Sequence, residues 1–199
     1  ARQGVSNLTS NPVRVLAIGG QDVPRDGVTV GEIAYRGNNL MAGYYLDAEA
    51  TANAIPDGWF RTGDLAVQHP DGYVEVKDRA KDVIISGGEN ISSVEVELTL
   101  AAHPAVLEVA VVPKPHDKWG ERPVAWVTLK EAQPATADEL RAFARERLAA
   151  FKVPDEVFFG VLPKTGSGKI RKFELREQLR ISASASGDAE DTHALPSDR

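Results

Sequence analysis

Short runs of alternating apolar and polar residues fill the first 78 positions, and longer runs with helical spacing take over after Arg79. Val13-Arg14-Val15-Leu16-Ala17-Ile18 alternates, Asp26-Gly27 is a turn signal, and Gly31 to Arg36 is a further strand. Leu65-Ala66-Val67 and Tyr73-Val74-Glu75-Val76 flank Pro70-Asp71-Gly72, a pattern that predicts a hairpin. Residues 12–78 therefore read as all-β, part of a small barrel.

Beyond Arg79 the periods mix. Val83-Ile84-Ile85 predicts a strand, Gly87-Gly88 a turn, and Ser92 with Glu95 a capping box. The helix behind that box shows Val94, Leu98 and Ala101 on one face and ends near His103-Pro104. Strands follow at Val106 to Val112 and Val124 to Leu129. Thr136 with Glu139 opens a second helix, whose stripe is Leu140, Phe143, Leu148 and Phe151 and which Pro154 closes. A strand over Val157 to Leu162 and a last helix using Ile170, Phe173 and Leu179 complete a compact α+β domain. From residue 181 the Ser/Ala alternation and acidic end read as a disordered tail.

Composition narrows the chemistry. The formal charge of −6 argues against nonspecific nucleic-acid binding, although the four acids and one arginine from residue 182 onward account for half of it. Cysteine is absent, which excludes disulfides and thiol nucleophiles and fits a reducing, cytoplasmic compartment. The four histidines are scattered, so no histidine metal site is expected, and no apolar run approaches the roughly 20 residues of a membrane helix.

One loop stands out: Pro163-Lys164-Thr165-Gly166-Ser167-Gly168-Lys169-Ile170-Arg171. Glycines let a backbone approach a ligand, and a lysine delivers a compact charge on a long stem. The loop is not a Walker A motif, because Pro163 holds the first glycine position and Ile170 the hydroxyl position. Alone, it reads as a solvated basic loop.

Three upstream segments change that reading. They are Gly31-Glu32-Ile33-Ala34-Tyr35-Arg36-Gly37 running to Gly43-Tyr44-Tyr45, then Gly58-Trp59-Phe60-Arg61-Thr62-Gly63-Asp64, then Lys77-Asp78-Arg79-Ala80-Lys81-Asp82-Val83 through Gly87-Gly88-Glu89-Asn90. With the lysine loop, their order and spacing resemble the carboxyl-terminal part of the adenylate-forming superfamily. The continuation Ile91-Ser92-Ser93-Val94-Glu95-Val96-Glu97 looks most like the short- to medium-chain acyl-CoA ligase branch. The resemblance covers about residues 12–180.

The resemblance implies a division into residues 1–78 (end of the AMP-binding amino-terminal domain, a partial β-barrel), 79–83 (hinge), 84–180 (small α+β domain) and 181–199 (tail). It also implies roles. Asp64 read alone is an ordinary turn aspartate; the family's matching aspartate binds the ATP ribose, whose vicinal hydroxyls suit a carboxylate. The residue matching Arg79 contacts the nucleotide, and the position matching Lys81 is the hinge about which the small domain turns between two reactions. Lys169 would serve the first, in which a carboxylate attacks the α-phosphate of ATP and expels pyrophosphate. Gly87 and Gly88 match the loop lining the pantetheine channel in the second, where CoA is co-substrate. Trp119 reads as packing before substrate contact.

The family pattern is incomplete here. The phosphate loop, the Mg2+ ligands and the acyl pocket belong to the larger amino-terminal domain, a missing partner of this chain, so the chain is expected to be inactive alone. Two alternatives remain: an adenylation domain of a nonribosomal peptide synthetase, and a non-catalytic interaction module.

Overall fold

The computed structural model describes residues 12–187, with side chains through residue 181, and the chain divides into two compact units between Val83 and Ile84. In the first unit β1 (Arg14–Leu16), β2 (Gly31–Tyr35), β3 (Phe60–Gln68) and β4 (Val74–Arg79) form a sheet in chain order, every neighbour antiparallel. Val15, Ile33, Ala66 and Val74 meet Val23 in its core. The expected hairpin is present: the His69 N–H donates to the Tyr73 carbonyl at 2.8 Å and closes the turn. Ile18, assigned to the first strand by alternation, lies beyond β1 and is fully exposed.

This unit is not purely β. Helix α1 (Ala48–Ala54) follows β2, capped by Asp47, whose Oδ1 accepts the Ala50 N–H at 2.8 Å. It buries none of its side chains, so no apolar stripe marks it in the sequence.

The second unit contains β5 (Ile84–Ser86), β6 (Glu89–Ile91), α2 (Ser93–Ala101), β7 (Val106–His116), β8 (Gly120–Leu129), α3 (Ala137–Arg145), β9 (Glu156–Phe159) and α4 (Lys172–Gly187). The sheet runs β6-β5-β8-β7, with β9 parallel to β8 along Val124–Val127. Its buried strands are apolar on both faces. Val109 and Val111 join Val96 and Leu100 of α2 and Leu140 and Ala144 of α3 in one core. Ala110 and Val112 join Leu175 and Leu179 of α4 in a second. A sheet covered on both sides explains the unbroken run from Val109 to Val112.

Several element details differ from expectation. Helix α2 buries Val96 and Leu100, not the Val94-Leu98-Ala101 face, and Leu98 is 68% exposed. Ser92 caps it, accepting the Glu95 N–H at 3.2 Å, but the Glu95 carboxylate is held by Lys152 at 2.6 Å instead of closing a box. Thr136 and Glu139 do form the full box on α3. That helix ends at Arg145, leaving Leu148 and Phe151 outside it, with Phe151 in a separate 3-10 turn, Ala150–Lys152. In α4 the buried residues are Leu175 and Leu179, while Phe173 is exposed. The helix continues to Gly187, as alanine favours, which corrects the disorder expected from residue 181; residues 188–199 lie outside the described residues. No described helix is long and apolar enough to cross a membrane.

Candidate active site

In the first unit the β3–β4 register sets Asp64 directly opposite Arg79. Arg79 Nε donates to Asp64 Oδ1 at 3.2 Å, and the two side chains are 56% and 34% exposed. Asp64 does not lie in a turn after a strand, as its neighbours suggest; Thr62-Gly63-Asp64 is inside β3, at an irregularity in its pairing with β2. Gly63 takes φ +75°, a conformation open to glycine. Its N–H donates to Glu32 Oε1 at 2.8 Å. The Thr62 hydroxyl donates to the Ile33 carbonyl at 3.0 Å and accepts the Asp64 N–H at 3.1 Å. These bonds fix the backbone leading into the half-buried Asp64 carboxylate.

Lys81 sits exposed in the short 3-10 turn Ala80–Asp82 behind β4. The Val83 N–H donates to the Arg79 carbonyl at 3.1 Å, and Asp82 is buried.

In the second unit Gly87 and Gly88 form the two-residue turn between β5 and β6, with φ of +61° and +87°. A hairpin with two positive φ values requires residues of this kind. Trp119 lies against Gly87: a Cβ on Gly87 would meet the indole Cε3 at 2.9 Å. The packing expected of Trp119 is therefore real, yet the ring remains 43% exposed. Beside the turn is a cavity of about 470 Å³, walled by Gly87, Glu89, Trp119, Phe151 and Arg122 among others.

Arg122 is the hub of that cavity and was not singled out from the sequence. Its guanidinium grips Asp155 with two bonds of 2.9 and 2.7 Å. It also donates to Ser86 Oγ at 3.2 Å, the Phe151 carbonyl at 2.7 Å and the Val153 carbonyl at 3.4 Å. The Arg122 hydrogen bonds to its carboxylate hold Asp155 below the usual carboxylate range.

The lysine loop is a tight turn. The Thr165 N–H donates to the Lys169 carbonyl at 2.8 Å and the Arg171 N–H to the Pro163 carbonyl at 2.8 Å. Thr165 Oγ1 accepts the Lys169 N–H at 3.1 Å and lies 2.9 Å from Ser167 Oγ. Lys169 is exposed, and its ammonium has no partner among the described residues. Lys164 in the same loop is paired with Glu108. One lysine anchors; the other is available. Among the described residues no cluster of three or more His, Asp or Glu could hold a metal ion.

The model of the AMP-binding enzyme C-terminal domain family matches residues 95–169 of this chain. The chain is 50% identical over 194 residues to an acetate–CoA ligase of Humulus lupulus, covering 90% of this chain and 33% of that protein. It is 50% identical over 186 residues to a peroxisomal acetate/butyrate–CoA ligase of Arabidopsis thaliana, covering 90% and 33%. The crystal structure of ATP-bound MatB from Rhodopseudomonas palustris matches with a TM-score of 0.79 and 34% identity, over 88% of this chain and 34% of that one. The chain spans about a third of the length of the curated relatives it matches.

Proposed function

We propose that this chain works as the carboxyl-terminal portion of an AMP-forming acyl-CoA ligase, which joins a small carboxylic acid to CoA at the expense of ATP. In the first step a carboxylate oxygen attacks the α-phosphorus, the bond to the bridging oxygen breaks, and pyrophosphate leaves. In the second, the CoA sulfur attacks the acyl carbon, the thiol proton is released, and AMP departs.

The observation that carries this reading is the Lys169 ammonium, without a partner among the described residues, on a loop braced by its own backbone. A cation presented this way meets negative charge building on the attacking and equatorial oxygens. Asp64, with one oxygen on Arg79, offers acceptors to ribose hydroxyls while Arg79 stays near the nucleotide. The Gly87-Gly88 turn, lacking side chains, leaves room for the thin arm of CoA. Lys81 is the proposed hinge between residues 1–78 and 84–180. The Mg2+ that accompanies ATP takes its ligands from the remainder of the enzyme. The cytoplasm is the proposed compartment, with the peroxisome of the Arabidopsis relative as the alternative that imaging of the tagged full-length protein separates.

Pyrophosphate exchange by the full-length protein tests the reading, with acetate and butyrate as first acids. Exchange followed by CoA-dependent release of AMP is expected. Absence of exchange with every short carboxylic acid sinks the proposal.

A further inference from the structure

The Gly87-Gly88 hairpin has few backbone ties to its sheet. β5 pairs with β8 only at Ser86 opposite Gly120, supplemented by the Gly87 N–H on the Trp119 carbonyl at 2.8 Å. Glu121 Oε2 accepts the Ile85 N–H at 2.9 Å. A further tie is Arg122, whose side chain is only 14% exposed. It reaches Ser86 on one wall of the cavity, and Phe151, Val153 and Asp155 on the other. A single guanidinium therefore bridges the turn before Gly87 and the segment that presents Phe151. Arginine alone offers five donors in a rigid fork for such a task.

We infer that Arg122 is a positioning residue for the thiol-accepting step, setting the width of the cavity beside Gly87 through its bonds to Ser86, Phe151 and Asp155. It touches no reacting atom. This rests on the proposed role of the Gly87-Gly88 turn. The lysine loop owes nothing to Arg122, because its bonds run among Pro163, Thr165, Lys169 and Arg171. Loss of Arg122 must therefore separate the two half-reactions. A displacement of about 1 Å at a site that orients a substrate costs on the order of 100-fold.

The test uses the full-length protein with Arg122→Met, Arg122→Lys and Asp155→Asn. Pyrophosphate exchange should persist at the wild-type rate, which also reports that the chain has folded. Acyl-CoA formation from supplied acyl-adenylate should fall about 100-fold in kcat/KM for Arg122→Met, mainly through a higher KM for CoA. Arg122→Lys should fall less, since one ammonium cannot serve every acceptor, and Asp155→Asn should fall between wild type and Arg122→Met. Equal loss of both half-reactions, or an unchanged CoA step, overturns the inference. If Arg122→Met fails to fold, the charge-retaining Arg122→Lys decides by the same split. Lack of exchange by the wild-type protein overturns instead the ligase reading itself, before any variant is compared.

Discussion

Lys169 and Glu75 show how differently two charged side chains can be used. Lys169 has no stabilising partner among the described residues, so its removal should leave the fold intact. Lys169→Ala in the full-length protein should slow adenylate formation by about 100- to 1,000-fold. Supplied acyl-adenylate should still become thioester. Normal pyrophosphate exchange in that variant would remove Lys169 from the site. Glu75 is the structural counterpart: Lys77 binds one oxygen at 2.7 Å and His69 Nε2 lies 2.9 Å from the other. Lys77 first and His69 second hold its carboxyl down to about 2, from an ordinary 4.5. A depressed folded pKa stabilises fully above the ordinary value and loses that contribution as pH falls toward the folded one. Glu75→Gln should thus be less stable than wild type at neutral pH, with the gap closing between about pH 4.5 and 2. Denaturant midpoints across that range check it, and a gap independent of pH would show that the charge is irrelevant. The sequence pointed to Lys169, Asp64 and Arg79 because each lies in a compact motif. It could not point to Arg122, whose partners Asp155 and Ser86 are 33 and 36 positions away.

Helix ends carry readable signals here, and the buried face of α2 does not. Thr136 with Glu139 is a local pattern, and the structure realises it as a reciprocal box. Thr136→Ala should cost about 1 kcal/mol and lower Tm by a few degrees in a chain of this size. Unchanged Tm by calorimetry would mean that tertiary packing, not the cap, secures α3. The buried face of α2 was misjudged for a physical reason. Val94, Val96, Leu98 and Leu100 are apolar at every second position, so periodicity supports more than one face, and the sheet selects Val96 and Leu100. The same local logic missed β6, whose Glu89 and Asn90 are exposed and which exists through its pairing with β5. The bulge at Gly63 was equally hidden, since it arises from β2 and Glu32, some thirty residues earlier.

At the scale of the whole molecule, the short turn Ala80–Asp82 lies at the end of the first unit, and it is the hinge proposed above. Proline at Lys81 fits the early part of a 3-10 turn but locks φ near −65°. Lys81→Pro in the full-length protein should therefore spare one half-reaction and cripple the other. Separate assays of pyrophosphate exchange and of thioester formation from acyl-adenylate read this directly, and an equal fall in both would show that no swivel at this position is needed. The two layers of core around the second sheet have a further consequence. With α2 and α3 filling one side and α4 the other, the buried residues from Ile84 to Leu179 form their two cores within this unit. The lysine loop and the glycine hairpin both belong to this block, so the spacing between them is set by a core that owes nothing to residues 12–83.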